Sequence, residues 1–266
     1  MNQYPFRLGT TSYIIPAEIL PNVRYLAGKV QDVELVLFEV EEGSGNLPNS
    51  KQIAELCNIA ADNDLTYTVH LPLDLRLADD GSPLHTSLEK AKRVIDCTRE
   101  LDPWAYVLHL DGKSVRGGAV TKVMRHWQDN AVRSLEIVGR WAGDLKKLAV
   151  ENIEGYPLNF YEPVLEQIAV SRAVDIGHLW LDHNDPVAYL RKALPRTSVI
   201  HIHGIDGRDH KSLAHVPAEK LHAVFDELVR AKYQGVLTIE VFSEDDFLTS
   251  CAAIKAIMKE KTFFPA

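Results

Sequence analysis

The stretch Ser198-Val-Ile-His-Ile-His203 is a run of β-branched and aliphatic residues that ends on histidines. A polar imidazole at the end of a buried apolar strand is unfavourable unless a partner compensates for it. Five other apolar runs end in the same way, on a histidine, a glutamate or an aspartate. The six terminal residues are His70, His109, Glu151, Asp175, His201 and Glu240. This repetition predicts a ring of strand ends that converges on a cation, and a metal centre fits best.

Strand-like runs alternate with helical patterns along the whole chain. Eight strands are predicted near Arg7–Thr11, Val33–Phe38, Thr66–His70, Ala105–Leu110, Leu148–Asn152, Ala173–Ile176, Ser198–His203 and Val236–Val241. Between them, segments such as Lys51–Asn63 and Ser87–Leu101 carry apolar residues at helical spacing. Near-continuous apolar strands separated by helices indicate a parallel sheet covered by helices. Eight such units predict an α/β fold with a single (β/α)8 TIM barrel, one domain over residues 1–266.

Composition limits the classes of function. The chain has 266 residues, of which 46% are hydrophobic and 25% charged, as in an ordinary globular protein. Its net charge of −8 argues against a general nucleic-acid binder, since duplex binding needs clustered Lys and Arg. The polar start, Met1 to Arg7, and the absence of long apolar runs predict neither a signal peptide nor a membrane span. We therefore expect a cytoplasmic protein with a small-molecule substrate; its oligomeric state stays open.

Barrel architecture explains why strand ends matter. Active sites of TIM barrels lie at the carboxyl ends of the strands, where side chains from several strands meet. The loops beyond the predicted strands add His178, Asp209 and His210, and Gly177 permits a sharp turn between Asp175 and His178. His203 lies on the same strand face as His201, and it can bind either metal or substrate. Imidazoles mixed with carboxylates suit Zn²⁺, Mn²⁺, Fe²⁺ or Co²⁺ better than Ca²⁺.

The ordered set of these residues resembles a known family. The chain combines His70, His109, Val-Glu151-Asn, Asp175-Ile-Gly-His178, His201-Ile-His203, Asp209-His210 and Ile-Glu240. Together they resemble the xylose isomerase-like TIM barrels, a superfamily that includes apurinic endonucleases and many sugar isomerases and epimerases. The resemblance covers nearly the whole chain. It implies an eight-stranded barrel with one to three divalent metals in its C-terminal mouth.

The resemblance implies two alternative activities. Isomerases and epimerases of the family use one metal, and its ligands here would be Glu151, Asp175, His201 and Glu240. The glutamates Glu151 and Glu240 would then be the catalytic acid and base. Phosphodiester hydrolases of the family hold up to three metals, and the additional ligands here would be His70, His109, His178, Asp209 and His210. Because all these residues are present, we favour a phosphodiester hydrolase, with the isomerase or epimerase as the alternative and apurinic-site repair as a weaker one.

The chain departs from the hydrolase pattern at one place. The family's hydrolases usually have one residue between the late aspartate and histidine, whereas Asp209 and His210 are adjacent. In the same stretch the downstream glycines of those hydrolases are also missing, since Ser212-Leu-Ala-His215 follows. These two departures concern the third metal more than the first two.

Two further segments suggest a substrate. Leu8-Gly-Thr-Thr-Ser-Tyr-Ile-Ile-Pro-Ala17 and Asp32-Val-Glu-Leu-Val-Leu-Phe-Glu39 are similar to the cobamide-remodelling phosphodiesterases of this superfamily. That resemblance implies cleavage of a cobamide nucleotide loop to cobinamide phosphate and a riboside. Predicted contacts to substrate are His203, Lys113, Arg116, Arg208 and Lys211. Glu39, Glu41 and Glu42 follow the second strand and either line the mouth or belong to a solvated loop.

Overall fold

The structure is a computed structural model that describes residues 4–37 and 45–262, with side chains described up to 259. Glu39, Glu41 and Glu42 lie outside the described residues. Eight parallel strands form a closed barrel in sequence order: β1 Arg7–Thr11, β2 Asp32–Val36, β3 Thr66–His70, β4 Tyr106–Leu108, β5 Leu148–Glu151, β6 Ser171–Asp175, β7 Thr197–Ile202 and β8 Val236–Ile239. β8 pairs with β1, which closes the sheet. The predicted TIM barrel is confirmed.

Helices surround the barrel in the order expected of βα units. In the described residues they are α1 Ile19–Leu26, α2 Ser50–Asn63, α3 Thr86–Thr98, α4 Thr121–Ala142, α5 Glu162–Leu165, α6 Ile176–Leu181, α7 Pro186–Ala193, α8 Ala218–Arg230 and α9 Glu244–Thr262. Asn49 and Gln52 form a capping box that starts α2. At the start of α9, the Ser243 hydroxyl donates a hydrogen bond to the Asp246 carboxylate and accepts one from the Asp246 backbone N–H. None of these helices is long and apolar enough to cross a membrane.

The strand alternation sets which side chains enter the barrel. A compact layer of small buried residues consists of Ala105, Val107, Ala149, Ala173 and Val199. Side chains two residues further along a strand lie on the same face. The residues two positions after Val107, Ala149, Ala173 and Val199 are His109, Glu151, Asp175 and His201. The interior layer therefore packs directly beneath the predicted ligands, which lie at the carboxyl ends of the strands.

Candidate metal centre

The predicted ligands meet in three groups at the C-terminal mouth. In each group, one nitrogen or oxygen atom per residue lies within 4.8 Å of the others. The first group is His70, His109 and Glu151; the second is Glu151, Asp175, His201 and Glu240; the third is His178, His203 and His210. Strands β3 to β8, the segments just beyond them and the first turn of α6 supply all of these side chains. Glu151 belongs to two groups, which makes it the centre of the arrangement.

Glu151 is buried and its two oxygens face different groups. Oε2 lies 2.9 Å from His109 Nε2 and 3.3 Å from His70 Nε2, in the first group. Oε1 lies 2.7 Å from His201 Nδ1, in the second group. Burial alone would raise the pKa of Glu151, but the surrounding histidines hold that pKa well below its usual range. A carboxylate held in this way suits a bridge between two cations.

The second group is the most deeply buried of the three. Its histidine, His201, lies opposite Asp175 in the register of β6 and β7. Burial would lower the pKa of His201, yet Glu151, Glu34 and Glu240 raise it well above the usual value. Glu240 Oε2 is 3.3 Å from His201 Nδ1 and 3.4 Å from His210 Nε2. Glu240 thus joins the second group to the third.

The third group is composed of imidazoles that pack on one another. The rings of His203 and His210 stack at a centroid distance of 4.4 Å. The ring of His178 is oriented by its Nδ1, which lies 3.1 Å from the carbonyl oxygen of Asn152. His210 has a φ of 53°, a left-handed conformation that is uncommon outside glycine and often occurs at functional sites.

Gly177 has a different role from the predicted one. It lies inside α6, directly before His178, and it is not among the described residues with positive φ. A Cβ at this position would lie 2.2 Å from ring atoms of His203. The lack of a side chain at Gly177 therefore lets the His203 imidazole approach the helix closely, and no special turn is required. Asp175, the N-cap of α6, accepts from the backbone N–H of His178 at 2.7 Å.

Asp209 is placed differently from the expectation. Its carboxylate is 41% exposed and, among the described residues, pairs with His210, with Oδ2 3.3 Å from Nδ1. It is outside the three groups, and His203 occupies the third place beside His178 and His210. Because Asp209 directly precedes His210, its side chain leaves the backbone in another direction. The structure thus places His203 among the candidate ligands.

The donor set fits divalent metal ions. Asp175 Oδ2, His203 Nε2 and Glu240 Oε2 are buried and form no well-oriented hydrogen bond among the described residues, although other members of the groups lie 3.3 to 3.5 Å from them. Polar atoms buried in this way are costly unless something compensates for them. Imidazole nitrogens and carboxylate oxygens around one point are typical ligands of Zn²⁺, Mn²⁺, Fe²⁺ and Co²⁺. We infer that the three groups would hold such ions.

Two carboxylates beside the ligands escaped the sequence prediction. Glu34 on β2 is fully buried and lies 2.8 Å from His201 Nε2.

The second carboxylate, Asp74, lies 3.2 Å from His109 Nδ1 and 2.9 Å from Lys113 Nζ. The His109 hydrogen bond and Lys113 outweigh burial and lower the pKa of Asp74 to about 2. Burial would lower the pKa of His109, but Asp74 and Glu151 raise it to about 10. Glu34 carried a usable signal, a carboxylate within an apolar strand, whereas Asp74 lies in a loop without one.

A cavity of about 460 Å³ opens above the ligands. Its wall includes Lys113, Arg116, Tyr156 and Phe242, and the Arg116 guanidinium lies 5.3 Å from the Tyr156 ring centre. Arg116 forms no ion pair with the described residues. The predicted contact Lys113 also lines this cavity, although it is paired with Asp74.

Arg208 and Lys211 line a neighbouring cavity of about 200 Å³ that also touches His210. Lys211 Nζ lies 3.5 Å from Asp246 Oδ2. The predicted cationic contacts therefore surround the mouth but are divided between two cavities.

Several solved structures share the fold of this chain. No match was found among curated proteins. A D-tagatose 3-epimerase-like protein superposes with a TM-score of 0.71 at 19% identity, covering 97% of this chain and 100% of the other. The 3-keto-D-glucoside 4-epimerase of E. coli gives 0.69 at 16% identity, covering 96% and 99%. An L-ribulose 3-epimerase gives 0.67 at 16% identity, covering 96% and 95%.

At these identities the similarity establishes the fold and not the activity. The family model of the xylose isomerase-like TIM barrel matches residues 30–262, which is most of the sequence. The chain therefore belongs to the xylose isomerase-like TIM barrel family.

Proposed function

We propose that the protein is a multinuclear, divalent-metal-dependent phosphodiester hydrolase that acts on a small or cofactor-sized substrate. One observation carries the proposal: three ligand groups are joined through Glu151 and Glu240 into one continuous centre. A one-metal reaction needs only the second group. The five histidines of the first and third groups would then not be needed as metal ligands.

A phosphodiester has the chemistry that such a centre suits. Cations bound there would neutralise phosphate oxygens, lower the pKa of water and stabilise the departing alkoxide. Glu151 would hold ligands of the first and second groups at a fixed spacing, because its two oxygens face different groups. Glu240 would do the same between the second and third groups.

The wall of the cavity supplies further recognition. Arg116 presents a guanidinium that is free of carboxylates among the described residues, and guanidinium groups bind phosphate in a bidentate manner. Tyr156 supports the guanidinium on its ring face. A cavity of about 460 Å³ matches the size of small-molecule sites. We therefore propose a small phosphodiester, or the phosphodiester arm of a larger cofactor such as a cobamide, as substrate.

A sugar isomerase or epimerase is the second candidate, and the comparisons favour it. The solved structures named above are described as epimerases or an epimerase-like protein. The second group alone contains the four residues that such a reaction would use, with Glu151 and Glu240 as acid and base. In this candidate the histidines of the first and third groups would not be metal ligands, and His203 would be free to bind substrate.

The two candidates predict different products. Protein purified without chelator and reconstituted with Zn²⁺, Mn²⁺ or Co²⁺ is incubated with bis(4-nitrophenyl) phosphate and a panel of cobamides. In parallel, ketohexoses are incubated with it in deuterated water and followed by NMR. We expect phosphodiester cleavage that is lost in His70→Ala and retained in His126→Ala, a histidine on α4 outside the three groups. Solvent deuterium in a ketohexose, without cleavage of any phosphodiester, would overturn the proposal in favour of an epimerase.

A further inference from the structure

Glu34 is a carboxylate buried in the wall of the barrel that neither candidate reaction uses directly. We propose that it is a positioning residue, which holds the His201 ring so that Nδ1 faces the second ligand group. The inference rests on the proposed metal centre, but it does not depend on which reaction the centre catalyses.

The geometry leaves His201 one orientation. Both side chains are fully buried, and His201 Nε2 lies 2.8 Å from Glu34 Oε2. On the other side of the ring, Nδ1 lies 2.7 Å from Glu151 Oε1 and 3.3 Å from Glu240 Oε2. Metal-binding histidines commonly donate their other ring N–H to a carboxylate, which fixes the tautomer and the ring. Glu34 is placed to accept from Nε2, and it leaves the Nδ1 lone pair for a cation.

A purely structural role explains Glu34 less well. A buried carboxylate costs free energy, whereas an apolar side chain of similar size would fill the same space without that cost. Glu34 Oε1 has no hydrogen-bond partner among the described residues, so its contact with His201 is the main compensation. The residue is therefore better explained by what it does to His201 than by packing.

The same strand provides a matched comparison. Asp32 lies two residues before Glu34, faces the same side of β2 and is also fully buried. Its carboxylate accepts from the Thr66 hydroxyl at 2.6 Å, near the amino-terminal end of the strands. Among the described residues, Asp32 belongs to none of the ligand groups, and its carboxylate bonds the Thr66 hydroxyl rather than a ligand. Replacing it tests what the loss of a buried carboxylate on β2 does by itself.

The experiment measures metal affinity and the tautomer of His201. Affinity for Zn²⁺ is measured by competition with a chromophoric chelator in wild-type protein, Glu34→Leu, Glu34→Gln and Asp32→Asn. We expect Glu34→Leu to weaken one Zn²⁺ site by about 10- to 100-fold. Glu34→Gln retains most of the affinity because its amide oxygen still accepts from Nε2. Asp32→Asn leaves the affinity unchanged.

The tautomer is read from the wild-type protein, so it does not depend on the folding of any variant. Nitrogen-15 NMR of the Zn²⁺-loaded protein should show His201 protonated at Nε2 and metal-bound at Nδ1. His201 metal-bound at Nε2, or a folded Glu34→Leu with wild-type affinity, would overturn the inference. If the NMR and affinity results hold while no phosphodiester is cleaved, the proposed function fails and the role of Glu34 stands.

Discussion

Metal binding should release a countable number of protons. In the metal-free protein, neighbouring carboxylates raise the pKa of His109 to about 10 and of His210 to about 9, against the opposing effect of burial. The pKa of His201 is also held well above its usual value. At pH 7 these imidazoles therefore carry a proton on both nitrogens. A cation needs one nitrogen lone pair, so each of the three must lose one proton when it becomes a ligand.

The number of protons distinguishes one occupied group from three. His109, His201 and His210 belong to the first, second and third group respectively. Filling all three groups at pH 7 should release at least three protons per chain, because, against the effect of burial, neighbouring carboxylates also raise the pKa values of His178 and His203 in the third group. Filling the second group alone should release about one. Each released proton makes the apparent affinity rise by about tenfold per pH unit in this range.

Isothermal titration calorimetry measures this release. Chelator-treated protein is titrated with Zn²⁺ at pH 7 in buffers with different enthalpies of ionisation, and the dependence of the observed heat on the buffer gives the proton count. His210→Ala should lower the count by at least one, and His126→Ala should leave it unchanged. A release of one proton or fewer in the wild-type protein would refute the reasoning, because the first and third groups would then not take up metal.

Other perturbations test parts of the same account. The raised pKa of His109 stabilises the metal-free fold fully below about pH 6.5, and this contribution is lost as the pH rises through about 10. Urea unfolding should therefore show a loss of a few kcal/mol in the free energy of unfolding across that window. A free energy of unfolding that is constant or rises with pH would contradict this expectation. Gly177→Ala places a methyl group against the His203 ring, so thermal unfolding should show a free energy of unfolding that is lower by about 1–3 kcal/mol, and metal binding should weaken. Unchanged stability would exclude the close approach of the His203 ring to Gly177. Arg116→Met should raise KM by about tenfold, whereas Lys113→Met should change KM less because Lys113 is paired with Asp74. A larger rise in KM for Lys113→Met than for Arg116→Met in steady-state kinetics would contradict the proposed role of Arg116 in phosphate binding.

The strands were predictable because each carries its own signal. Buried parallel strands read as apolar runs, and the predicted β1 and β3 coincide with the structure. Elsewhere the strands end one or two residues earlier than predicted, as β4 does at Leu108 and β8 at Ile239. The hydrogen-bonded ladder ends where the chain turns toward the mouth, and the next ligand residue, such as His109 or Glu240, lies just beyond it.

The site could be predicted only where the strand alternation decides it. Ligands at strand ends follow from the alternation of side chains, which is local. The composition of the third group depends instead on how the loop after β7 folds back, where His210 adopts a left-handed conformation and the half-exposed Asp209 lines the cavity outside the three groups. Contacts such as that between Asp74 and His109 join residues 35 positions apart, and no local pattern encodes them. Glu34 shows the opposite case, since its position inside a buried strand was visible in the sequence.

Metal binding by three linked groups in one centre is measured as the metal content per chain. Protein is purified without chelators, reconstituted separately with Zn²⁺, Mn²⁺ and Co²⁺, and examined by elemental analysis. We expect two or three equivalents, with about one lost in His70→Ala and about one in His210→Ala. A single equivalent that survives both substitutions would contradict this expectation and would leave only the second group as a metal site.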